Sequence, residues 1–118
     1  MKLSDIPYSL TDWSKIVPEE HKGTTGTGYS RTRNFGGIDV HMVEYTPGYC
    51  ADGWCTLGHI VLCLEGELHS QLKDGRTFVL TPGMSYQVGD HTGAHQSSTE
   101  TGARLFVIDL GPDLFQQS

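Results

Sequence analysis

Apolar and polar residues alternate in short runs along most of this chain, and glycine-centred breaks separate the runs. The clearest alternation begins at Thr27, where Tyr29, Arg31 and Arg33 share one face, and Gly36-Gly37 ends it after Phe35. Ile38 to Thr46 follows, with Ile38, Val40 and Met42 opposite Asp39, His41 and Val43. Period-two alternation of this length predicts half-buried strands. Further strands are expected at His59 to Leu64, Glu67 to Leu72, Thr77 to Leu80, Met84 to Val88, Ala94 to Thr99 and Arg104 to Leu110. The breaks carry turn chemistry: Pro47-Gly48, Pro82-Gly83, Glu100-Thr101-Gly102 and Asp74-Gly75. Asp-Gly between two β-prone runs is a strong hairpin signal. The strands on either side of Gly66 are also expected to pair with one another. About eight short strands without a long helix indicate an all-β fold, a sandwich or barrel.

Residues 1–23 do not share the alternation and read as an N-terminal arm interrupted by Pro7 and Pro18. Leu10, Trp13, Ile16 and Val17 recur at three to four residues, so one face is expected to dock on the barrel or on a neighbouring subunit. The barrel is expected over 24–111, and 112–118 forms a tail.

Composition narrows the function. A chain of 118 residues suits one hydrophobic core without staples. Its net charge of −6 argues against nucleic acid, whose partners carry a basic face. No Lys/Arg cluster suggests an anionic membrane surface, and the longest apolar run, Ile60 to Leu64, is far too short for a span. Met1 to Asp5 lacks the apolar core of a signal peptide, so a soluble, cytoplasmic protein is expected. The three cysteines then read as thiols, ligands or core residues rather than disulfides.

Candidate chemistry gathers next to the most apolar run. Cys55 and His59 precede it, and in an extended chain residues 55, 57, 59, 61 and 63 would share one face. A second segment, Pro82 to His95, brings another imidazole. The bland alternatives are a buried thiol at Cys55 and a hydrogen-bonded core histidine at His59. His91 and Tyr86 are candidates for moving protons. Arg31, Arg33, Trp54 and Gln87 are candidates for lining a pocket, the arginines being suited to a carboxylate. Cys50 and Cys63 read as core residues, and His21 and His41 carry no motif. Gly26-x-Gly28 opens no helix, which argues against dinucleotide binding.

The order Cys-x3-His, apolar strand, Glu-Gly-Glu, Asp-Gly hairpin, Pro-Gly, strand, loop, His resembles the cupin superfamily. Thr-Pro-Gly-Tyr at 46–49, Ala-Asp-Gly-Trp-Cys at 51–55, Gly-His-Ile at 58–60 and Pro-Gly-Met-Ser-Tyr-Gln-Val at 82–88 are similar to the DHCW-motif cupin-fold proteins, whose activity is unassigned. So is Thr-Glu-Thr-Gly-Ala-Arg-Leu-Phe at 99–106. The resemblance implies a single-domain double-stranded β-helix, or jelly-roll barrel, and a homodimer. It also implies a metal site, in which His59 falls at the usual Glu position, Cys55 and Gly53 fall at His positions, and His95 closes the second motif. Gly53 removes one donor. The remaining set, Cys55, His59 and His95, would leave a position open, as catalytic zinc sites do. A thiolate with two imidazoles suits zinc, iron or copper. The expectation is a metal-dependent small-molecule enzyme, with a non-catalytic small-ligand module having a degenerate or absent metal site as the alternative. A purely structural dimer is the third reading.

Overall fold

The computed structural model describes residues 3–110, so the tail at 112–118 lies outside the described residues. Nine strands follow one another: β1 (Glu19–Lys22), β2 (Thr27–Phe35), β3 (Ile38–Tyr45), β4 (His59–Gly66), β5 (Leu68–Leu72), β6 (Thr77–Leu80), β7 (Ser85–Val88), β8 (His95–Ser98) and β9 (Ala103–Asp109). All pairings are antiparallel. Six strands in the order β1-β2-β3-β9-β4-β7 make one sheet, and β6-β5-β8 make the other. This is the expected all-β jelly roll.

The inward positions of alternating strands supply the core. Val61 and Cys63 of β4, Leu68 of β5, Leu80 of β6 and Ala103, Leu105 and Val107 of β9 are buried together, with Val43, Tyr45 and Tyr86 packed against them. On the other face of β4, Ile60 and Leu64 remain 48 % and 37 % exposed. The five-residue apolar run is therefore split between two environments by strand alternation.

Three sequence expectations change. The strands flanking Gly66 do not pair: β4 pairs with β7 and β9, and β5 with β6 and β8. Gly66 instead turns the chain from one sheet to the other with φ +75°. A side chain there would collide with the Gly102 carbonyl, so glycine is required twice over. A register shift between Cys63 and Glu65 against β9 bends β4 just before this corner.

The N-terminal segment also differs, because Glu19–Lys22 joins the sheet edge by pairing with Thr27–Ser30. Glu-Glu-His-Lys has no alternation to reveal a strand, since all four residues are exposed. A charged edge of this kind resists further pairing. Finally, Leu10 and Val17 point to solvent beside a 3-10 turn at Trp13–Lys15, so the Leu10/Trp13/Ile16/Val17 stripe does not dock on its own barrel as one face.

Replacing Leu105, 2 % exposed, by Ala should cost about 2–5 kcal/mol of stability in urea unfolding. Leu64→Ala on the opposite face should cost under about 1 kcal/mol. Equal losses would contradict the inside–outside assignment of the two faces.

Candidate metal centre

Four chain segments end at the same mouth of the barrel: the connection between β3 and β4, the start of β4, the end of β7 and the start of β8. Cys55 lies in the first of these and is fixed to β8 by main-chain groups alone. Its N–H donates to the His95 carbonyl at 2.7 Å, and the His95 N–H donates back at 3.0 Å. That reciprocal bridge sets the thiol and the imidazole side by side. His59 opens β4 opposite Val88, and Tyr86, opposite Val61, shares its inward face. Gly58 lets the mouth close: its N–H donates to Asp90 Oδ1 at 2.6 Å, and a Cβ there would lie 2.8 Å from the Val88 carbonyl oxygen.

The side chains converge. His59 Nε2 and His95 Nε2 face each other at a hydrogen-bonding distance of 2.9 Å, and Tyr86 Oη lies 2.9 Å from His59 Nε2. His95 Nδ1–H donates to the Gly93 carbonyl at 2.7 Å, which turns Nε2 towards the site. An outer hydrogen bond of this kind orients a metal-ligating histidine. One ligand atom from each of Cys55, His59 and His95 lies within 4.8 Å of the other two. Zinc–nitrogen bonds of about 2.0 Å would hold two imidazole nitrogens about 3.3 Å apart, so small ring movements accommodate an ion. The donor set fits a borderline transition metal.

The protonation states favour such an ion. The hydrogen bond with His95 holds the Cys55 thiol below its usual range, against the opposing effect of burial. The same contact raises His95. Burial, followed by the neighbouring His95, pushes His59 down to about 4, so it is neutral at pH 7. Burial raises Tyr86 and keeps it a neutral phenol. Metal binding needs a thiolate and neutral imidazoles, and Cys55 and His59 are already biased that way.

The other sequence candidates divide. Gln87 lines an open cavity of about 520 Å³ together with His59, Ile38, Ile60, Ile108 and Asp109. Tyr86 and His95 line a second cavity of about 140 Å³ between the sheets. His91 is exposed in the β7–β8 loop with φ +58°, and its main-chain N–H, bonded to the Thr56 carbonyl at 2.7 Å, ties it beside Cys55. Trp54 is 40 % exposed and lines neither cavity.

Arg31 and Arg33 are corrected. Their guanidinium groups hold the N-terminal segment, Arg31 through the Ile16 carbonyl at 2.8 Å and Arg33 through Thr11 Oγ1 at 2.8 Å. They lie on the outer face because Ser30 and Thr32, not they, share the inward parity of Val43 and His41. Tyr45 and Ser97 were missed. Behind the site, burial raises both the Tyr45 and Tyr86 phenols, and Ser97 lowers them against that larger effect. Its position two residues beyond His95 on a strand was the available signal.

No family model and no curated protein matches the chain. Solved structures do. Ectoine synthase from P. lautus is similar over 94 % of this chain and 86 % of its own, with TM-score 0.72 and 19 % identity. An RmlC-like cupin from Shewanella frigidimarina covers 94 % and 98 %, with TM-score 0.71 and 20 % identity. A predicted oxalate decarboxylase from Thermotoga maritima covers 85 % and 96 %, with TM-score 0.72 and 15 % identity. The chain has the cupin fold.

Gly58→Ala should cost about 1–3 kcal/mol by crowding the Gly89–Asp90 turn, read as a lower melting temperature. A second expectation concerns pH. His59 is depressed from 6.5 to about 4, so between these values the unfolded chain binds the extra proton and folded stability falls as pH falls. Urea unfolding of metal-free protein should show that His59→Gln removes part of this acid-side loss. An unchanged pH profile would refute the assignment.

Proposed function

We propose that this protein is a metal-binding cupin-fold protein that acts on a small molecule, with Cys55, His59 and His95 as the ligands. The convergence of these three donors at the barrel mouth carries the reading. A bound ion would supply Lewis acidity to a substrate oxygen or acidity to a bound water. Everything else is the work of this chain's own residues. The Cys55–His95 bridge fixes two of the donors. Tyr86, kept neutral by burial, offers an O–H to whatever lies beside His59. Ile38, Ile60, Gln87 and Ile108 line an open cavity that reaches His59 from the outer side of the sheet. That cavity, about 520 Å³, matches the size range of small-molecule sites and borders the donor group at His59 alone. The enzymes named among the structural neighbours support an enzyme reading at the level of fold only.

The alternative is a non-catalytic ligand-binding barrel, and Gly53 favours it by withholding a donor where the cupin pattern has one. Kinship with the DHCW-motif group and a cytoplasmic location are part of the same proposal. No helix among the described residues is long and apolar enough to cross a membrane. We also propose a homodimer, supported by the apolar Ile60 and Leu64 on the outer face.

Elemental analysis of purified protein should give at least one transition-metal ion per chain. Cys55→Ala should weaken binding beyond the roughly 10–100-fold that losing an outer partner costs. Metal-free protein that cannot be reloaded would sink the reading, and full occupancy in a Cys55→Ala, His59→Ala double variant would show that other residues bind. Light scattering should give twice the chain mass, and a monomer at high concentration would remove the dimer.

A further inference from the structure

A second group of donors stands on the inner face of β3 and β9, outside the Cys55 set. Asp39 and Asp109 lie opposite each other across the β3–β9 ladder, and His41 follows two residues along β3 on the same face. One ligand atom from each lies within 4.8 Å of the other two, and all three side chains are partly buried. Carboxylates placed directly opposite each other repel, and a cation between them reverses the sign of that interaction.

The group is supported from outside itself. Asn34, opposite Asp39 on β2, donates from Nδ2 to Asp39 Oδ1 at 2.9 Å, and its own Oδ1 accepts from the Gly37 N–H at 3.3 Å. Thr32, opposite His41, hydrogen-bonds His41 Nδ1 through Oγ1 at 2.7 Å. That contact leaves His41 Nε2 facing Asp109 Oδ2 at 3.0 Å. Each β3 donor is thus held by an outer partner on β2, as outer partners hold metal ligands. Asp109 also lines the same cavity as His59.

We propose that Asp39, His41 and Asp109 form a second divalent-cation site, beside the Cys55/His59/His95 group and independent of it. Two carboxylates and one imidazole are a harder set than a thiolate with two imidazoles, so this site suits manganese, iron(II) or zinc. The two sites differ in donor softness at one mouth.

Cobalt(II) tests both at once, because only the Cys55 site can give a thiolate-to-cobalt charge-transfer band. Chelator-treated full-length protein is titrated with cobalt(II), and bound metal is counted after equilibrium dialysis. Wild-type protein should bind two ions, and an Asp39→Asn, Asp109→Asn variant should bind one with the charge-transfer band intact. Cys55→Ala should bind one ion without the band, and adding the Asp substitutions should abolish it. If no band forms in wild type but one ion is lost with the Asp substitutions, the second site stands and the first fails. If the carboxamide variant does not fold, His41→Gln should lower manganese(II) affinity by at least roughly 10–100-fold in electron paramagnetic resonance titration. Cobalt stoichiometry unchanged in the folded Asp variant, or manganese affinity unchanged in His41→Gln, would overturn the proposal.

Discussion

The register of β4 between β9 and β7 is the constraint on which the barrel and its mouth both rest. Val61 pairs with Val107 on one side and Tyr86 on the other, and this single alignment decides which residues face inwards. Strand side chains alternate, so a shift of one residue would send Val61 and Cys63 to solvent and Ile60 and Leu62 into the core. The same shift would turn His59 out of the mouth. Core burial and donor placement are therefore set together, and the hydrophobic gain from Val61, Cys63, Leu105 and Val107 holds the imidazole in place.

Local alternation made most strands legible. Thr27–Phe35 and Thr77–Leu80 coincide with the expected segments, and the others differ by a residue or two at their ends. The Asp74-Gly75 hairpin joins β5 to β6 as its turn chemistry implied. What the sequence concealed was non-local. Gly66 looks like a hairpin centre, yet only the collision with Gly102 across the corner reveals that it joins two sheets. Glu19–Lys22 forms a strand through main-chain pairing at an edge, where side-chain pattern carries no information.

The candidate site was half legible for the same reason. Cys55, His59 and His95 stand out by residue type and spacing, and the fold brings them together. The arginines misled because their strand face was correctly grouped but its direction was unknown; an outward face meets the N-terminal segment instead of a ligand. His41 offered no motif at all. Its surroundings depend on the pairing of β3 with β2 and β9, which short-range pattern does not specify.

The bridge between Cys55 and His95 consists of main-chain groups only. It forms whatever side chains occupy the two positions, provided neither is proline. The scaffold is thus insulated from the chemistry it presents. A lineage carrying this fold can exchange thiolate for carboxylate or imidazole at 55, or retire the donors altogether, while the strands stay paired. Such a mouth is easy to rewrite without disturbing the fold that carries it.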